Sequence, residues 1–157
     1  MRVIDLKDEP DFLEQYVKLR NSYCDLLLTN PVSVDQTKQW LKDNNILIRG
    51  LVREKTFLGA VVLYLHRENE VAFFVMERNK GLGTKLLEII EQVAEKEKLN
   101  SLWAWVLINN PVAQRVFEKR GFVRVKSSSR QYKGKILSGI VYTKDLCFMP
   151  VNENRIC

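Results

Sequence analysis

Apolar and polar positions change rhythm along this chain, and the changes mark its elements. Residues MRVIDL read as a short strand. In PDFLEQYVKLRNSYC, the residues Phe12, Leu13, Tyr16, Val17 and Leu19 recur at helical spacing. A second helix opens at Ser33, where Gln36 completes a capping-box pattern before Trp40 and Leu41. Three strand-like runs follow, 46–54, 57–67 and 71–76, with breaks short enough for hairpins. Behind a glycine loop, Leu86, Leu87, Ile89, Ile90, Val93 and Ala94 return to helical spacing with charges between them, for about four turns. SLWAWVLINN is a further strand. Asn110 as cap and Pro111 in the first helical position then open a last helix, which Gly121 ends. FVRVKSSSRQY and KILSGIVYTKDL close as a hairpin around Lys133–Gly134. The order is strand, two helices, three strands, helix, strand, helix, two strands. It predicts one mixed α/β domain over residues 1–146, with 147–157 as a tail.

Composition narrows the class. The chain has 157 residues, 46% of them apolar, enough for one domain with a sizeable core. No run approaches the roughly 18 apolar residues of a membrane-spanning helix. MRVIDLKDEPDF lacks the pattern of a signal peptide. Cys24, Cys147 and Cys157 are odd in number and far apart, which fits neither a disulfide framework nor a zinc site. The expected compartment is a reducing cytoplasm. A net charge of +6 and a pI near 9.3 favour an acidic ligand such as a nucleotide or phosphorylated cofactor. The basic residues are dispersed, unlike a nucleic-acid-binding tail.

The stretch ERNKGLGTKLLE carries the candidate chemistry. The start of a helix offers unpaired N–H groups and a positive dipole end, both favourable to an anion. Gly81 and Gly83 let backbone approach a phosphate, and Arg78, Lys80 and Lys85 add positive charge. A Walker A loop is excluded because Thr84 separates Gly83 from Lys85. A dinucleotide fingerprint is disfavoured because Leu86 stands where its third glycine belongs. Arg-x-x-Gly-x-Gly between strand and helix fits, on Arg78, Gly81 and Gly83.

With this loop, NNPVAQRVFEKRGF, through Asn110, Ala113, Phe117, Gly121 and Phe122, resembles the GNAT superfamily of acyl-CoA-dependent N-acyltransferases. The resemblance implies a mostly antiparallel sheet of about seven strands, splayed between the fourth and fifth and flanked by about four helices. It implies acetyl-CoA as co-substrate and no metal. Its pyrophosphate would lie on Arg78, Asn79, Lys80, Gly81, Leu82, Gly83 and Thr84, and its pantetheine arm along Val75 and Met76. Asn110 and Phe117 would border the same site, and Arg115 and Lys119 could reach the adenosine phosphates. VMERNKG is shorter than the family loop and lacks its proline.

For the base the resemblance points to Glu70 at the start of VAFFVM, with an exposed hairpin glutamate as the competing reading and Glu68 a poorer candidate. His66, the only histidine, is the second candidate base, at a strand end. Many relatives carry a tyrosine acid where this chain has Phe117, which cannot donate a proton; Tyr132 and Tyr142 are substitutes to weigh. The expected acceptor is a small-molecule amine. Arg20, Asn21, Val32, Ser33 and Trp40 resemble enzymes that acetylate amino groups on nucleotide-linked sugars, although Thr37 replaces a histidine frequent there. Peptide, protein or polyamine acceptors, and a non-catalytic CoA-binding module, are the alternatives. Dimers are common in the superfamily, but no residue here marks an interface.

Overall fold

A computed structural model describes residues 1–146; the expected tail, with Cys147 and Cys157, lies outside the described residues. The strands are β1 (Arg2–Asp5), β2 (Ile46–Arg53), β3 (Thr56–Tyr64), β4 (Glu70–Val75), β5 (Ser101–Leu107), β6 (Val123–Tyr132) and β7 (Lys135–Asp145). The α-helices are α1 (Leu13–Ser22), α2 (Cys24–Leu27), α3 (Val34–Leu41), α4 (Leu82–Lys96) and α5 (Pro111–Lys119). All seven strands form one sheet in the order β1-β2-β3-β4-β5-β7-β6. Every neighbouring pair is antiparallel except β4–β5, which is parallel.

Two apolar layers cover the sheet. The α4–α5 side spans both halves, drawing on Leu86, Leu87 and Ile90 of α4, Val61 and Val71 of the first half, and Leu102, Ala104 and Tyr142 of the second. On the α1–α3 side, Tyr16, Val17 and Leu41 pack on Ile48, Val62 and Phe74, and no residue of β5–β7 joins that core. The unequal cover leaves the α1–α3 face of β5 available for other uses. Among the described residues no helix is long and apolar enough to cross a membrane.

Three local outcomes differ from the sequence expectation. The single helix expected over 10–24 stops at Tyr23 and resumes as α2, giving five α-helices where about four were expected. The long strand expected over 57–67 ends at Tyr64, and Leu65–Arg67 form a 3-10 turn, so His66 sits in a turn. Leu65 still donates its N–H to Asn45 O at 2.8 Å, in register with Ile46↔Tyr64, and the chain turns away after it. Third, β5 stops at Leu107, three residues before the expected end. The expected capping box is present: Ser33 Oγ accepts from Gln36 N at 3.1 Å, and Gln36 Oε1 accepts from Ser33 N at 2.9 Å.

Candidate active site

The sheet opens where its one parallel pair diverges. β4 and β5 share the single register pair Glu70↔Trp103, with Trp103 N–H reaching Asn69 O at 3.3 Å. Beyond that point the strands separate. Met76 donates its N–H to Leu58 O at 2.8 Å. By the two-residue alternation of an antiparallel ladder, the backbone groups of Phe73 and Val75 therefore point away from β3, into the opening. Met76 directs its N–H to β3 instead, so of the two expected backbone partners for an extended ligand only Val75 faces the gap. Its carbonyl accepts the Tyr23 hydroxyl at 2.8 Å.

The opening is a narrow cleft of about 50 Å³ between Phe73 and Val75 on one side and Trp105 and Leu107 on the other, with Leu26 of α2 over it. It continues into a hollow of about 400 Å³ above the glycine loop, since Phe73, Val75, Arg78 and Val112 line both. The size of that hollow suits a small-molecule ligand.

The loop leaves donors free at the start of α4. Gly81 caps α4 with φ +75 and supplies no side-chain acceptor, and the first turn contains no acid. The first N–H groups of a helix have no partner within it, so here they stay available. Asn79 also has a left-handed φ of 62, which helps the chain turn back beneath α4. A Cβ on Gly83 would meet Phe73 Cε2 at 2.8 Å and Val116 Cγ1 at 3.2 Å, so a side chain there must displace the Phe73 ring. Thr84 and Leu82 flank it, and Arg78, Arg115 and Lys119 line the hollow, with Glu77 the one acid there. Lys80 lies exposed in the same loop.

Further along the cleft, Asn110 caps α5, its Oδ1 accepting from Ala113 N at 3.3 Å. Phe117 is buried among Phe73, Phe122 and Tyr142, with centroids 5.4, 5.0 and 6.0 Å away. No hydroxyl replaces the missing tyrosine at that point. Tyr142 is in the core on the α4–α5 side, donating to Glu118, and burial pushes its phenol pKa up. Tyr132 donates to Asp25 Oδ1 at 3.0 Å, pinning the β6–β7 hairpin tip to α2.

Glu70 is a buried carboxylate at the closed end of the split, and thus no exposed hairpin residue. Its Oε2 lies 3.2 Å from Arg130 Nη2 and its Oε1 lies 3.7 Å from Arg67 Nη1. Arg130 belongs to β6 and reaches across β7 and β5, stacking 4.7 Å over Trp105. Gly139 makes room for that indole, because a Cβ there would stand 2.2 Å from the Trp105 ring. The indole lies flat across that glycine, and its Nε1 donates to Ser128 Oγ at 2.9 Å. His66 is exposed, edge-on to Tyr64, with Nδ1 3.5 Å from Asn45 O, and faces a separate hollow on the α1–α3 side.

Sequence reasoning missed Phe73, Tyr23 and Arg130. Phe73 was legible in principle, because strand alternation places it beside Val75. The other two act through contacts 52 and 60 residues apart in sequence, which no local pattern announces.

Comparison with known proteins agrees with this geometry. The model of the acetyltransferase (GNAT) family matches residues 13–122. Among solved structures, yncA of Salmonella typhimurium, solved with its cofactor acetyl-CoA, superposes with a TM-score of 0.82 at 14% identity over 99% of both chains. A ribosomal-protein-alanine N-acetyltransferase from Brucella melitensis gives 0.80 at 18% identity, over 93% of this chain and 100% of that one. A spermidine N-acetyltransferase from Vibrio cholerae, in complex with CoA and spermine, gives 0.78 at 18%, over 92% and 95%. No curated protein matches the sequence.

Proposed function

The chain belongs to the acetyltransferase (GNAT) family, and from that premise we propose that it moves an acetyl group from acetyl-CoA to the primary amine of a small acceptor, by direct attack in a ternary complex. The observation that carries this is the cleft itself. Backbone at Phe73 and Val75 that no neighbouring strand pairs, with only the Tyr23 hydroxyl on the Val75 carbonyl, leads directly to the N-terminus of α4, which no side chain caps. An amide-bearing arm ending in a pyrophosphate matches that sequence of partners.

In this reading the N–H groups of Leu82, Gly83 and Thr84 hold the pyrophosphate, helped by Arg78, Asn79, Lys80 and Gly81. Arg115 and Lys119 face the outer phosphates across the hollow. Val75 takes the arm on its backbone, with Tyr23 yielding or sharing the carbonyl, while Asn110 and Phe117 wall the far side. The amine nitrogen attacks the thioester carbon, the C–S bond breaks, and the proton lost by nitrogen balances the one gained by sulfur. Glu70 is our candidate to receive the amine proton through water, and His66, exposed near the same turn, is the second. Phe117 donates nothing, and the Tyr132 and Tyr142 hydroxyls are engaged elsewhere. The thiol leaves as a thiolate, reasonable for a group with a pKa of about 8.5, and takes its proton from solvent.

For the acceptor we favour an amino-sugar nucleotide over a polyamine. Arg67 and Arg130 outnumber the single acid Glu70 they hold, and such a wall repels a polycation. Mass-spectrometric detection of acetyl transfer across amino-sugar nucleotides, basic peptides, polyamines and aminoglycosides tests the proposal. Acetylation of an amino-sugar nucleotide is expected. Binding of acetyl-CoA with no product from any class would favour a non-catalytic CoA-binding module.

A further inference from the structure

A second hollow, of about 240 Å³, opens on the α1–α3 face of the sheet, between α1, α3 and the ends of β2 and β3. Its most unusual member is Arg20. This arginine is only 8% exposed, yet among the described residues no carboxylate lies within ion-pair distance of it. Its one hydrogen bond to backbone runs from Nη1 to Asn30 O at 3.1 Å. A buried guanidinium without an anion is costly, and the groups that meet this one, the Asn30 carbonyl and the Tyr16 and Tyr64 hydroxyls, are all neutral.

Its surroundings stabilise the charge without neutralising it. The guanidinium lies 5.8 Å from the Trp40 ring centroid, and Trp40 is 40% exposed at the mouth. Burial raises the pKa of the Tyr16 and Tyr64 phenols by more than the neighbouring Arg20 charge lowers them, so they stay neutral and hydrogen-bonding at ordinary pH. Arg67, stacked 4.3 Å over Tyr64, and His66 also line the hollow, and Asp43 is its one acid. The balance is positive with an aromatic rim. Arg67 joins this hollow to the reaction centre, since the same side chain pairs with Glu70 at the closed end of the β4–β5 split.

We propose that this hollow is the subsite for the anionic group of the acceptor, a carboxylate or phosphate held by Arg20 with Trp40 against its planar or apolar neighbour. The inference rests on the acetyltransferase reading and deepens it. The donor enters at the open end of the split, over the glycine loop, and the acceptor's acidic end lies on the opposite face with its amine directed past Arg67 toward Glu70.

Two measurements test this, and the first needs no turnover. With the protein saturated in CoA, so that the glycine loop is filled, the indole N–H resonance of Trp40 is followed during titration with inorganic phosphate and with acetate. Should CoA fail to bind, the Gly83→Glu variant serves instead, and that failure counts against the acetyl-CoA reading alone. A saturable shift is expected, with the stronger of the two anions identifying the group, and affinity at least tenfold weaker in Arg20→Gln. An unchanged Trp40 signal, or equal affinity in the variant, overturns the proposal. If Arg20→Gln does not fold, Arg67→Gln on the exposed rim replaces it, with a several-fold loss expected and a change below twofold counting against us. The second measurement compares kcat/KM for matched amines with and without an acidic group. A preference of tenfold or more for the acidic amine is expected, expressed in KM and collapsing in Arg20→Gln. Equal or better use of the uncharged amine overturns the assignment.

Discussion

Gly83→Glu is the sharpest perturbation of the donor site. Gly83 is the second residue of α4, where a helix tolerates and even favours an acid, so the substitution does not oppose the helix itself. Its new Cβ would lie 2.8 Å from Phe73 Cε2, an overpacking cost of about 1–3 kcal/mol that a small ring movement reduces. Binding suffers far more. The carboxylate competes for the N–H groups that would otherwise face the pyrophosphate. Losing two charge-assisted hydrogen bonds at about 1.5–3 kcal/mol each weakens binding by ~3–6 kcal/mol, roughly 10²- to 10⁴-fold in Kd. Like-charge repulsion adds to this. Calorimetric titration with acetyl-CoA reads the affinity, and thermal unfolding reads the fold. The expected result is a melting temperature within a few degrees of the parent and loss of the ligand-induced upward shift. A Kd within about threefold of the parent would refute the assignment of this helix end as the phosphate site.

Three further outcomes are expected. Gly139→Ala places a methyl group 2.2 Å from the Trp105 ring, so the indole must lift; urea unfolding should show a loss of about 1–3 kcal/mol, with a displaced Trp105 indole resonance and reduced kcat. Glu91→Ala removes the buried carboxylate that holds Arg120 at 2.9 and 3.0 Å and Lys144 at 2.6 Å, leaving two cations stranded; a loss of about 3 kcal/mol is expected in the same assay, and less than about 1 kcal/mol would show that solvent replaces the pair. Burial raises the pKa of Tyr16, Tyr64 and Tyr142 above the ordinary phenol value. A group whose folded pKa is raised stabilises fully below its unfolded pKa and loses that contribution above it. Stability measured by denaturant titration should therefore fall as pH rises past about 10, where unfolded tyrosines begin to ionise; a flat profile from pH 9 to 11 would contradict the burial assigned to these phenols.

The elements that were legible in the sequence are those whose causes are local. Ser33 and Gln36 cap α3, Asn110 and Pro111 start α5, and Gly81 starts α4, each within a few residues of its effect. What was not legible depends on distant partners. α1 breaks at Tyr23, whose hydroxyl bonds Val75, while Asn21 clamps Val32 through both its amide atoms, at 2.8 and 2.9 Å. Glu70 could be named as an acidic residue at a strand start, but its burial between Arg67 and Arg130 depends on a β6 side chain 60 residues away that stacks on a Trp105 indole seated over Gly139. His66 was placed at a strand end because the apolar run continues through Leu65, whereas the ladder closes at Tyr64↔Glu70.

The single β4–β5 contact also divides the molecule mechanically. β1–β4 and β5–β7 are each continuous antiparallel ladders, whereas the seam between them has one register pair, the α4–α5 layer on one side, and side-chain ties such as Arg130–Glu70 and Tyr132–Asp25 in place of a ladder. Cooperativity across such a joint is low, so sub-global opening should run along it before either ladder frays. Amide hydrogen exchange would then be fastest, among central-sheet positions, at Phe73 and Val75. A ligand bonding those amides would act as a missing strand, suturing two foldons into one, and the enzyme would be a stiffer object with its donor bound than without it.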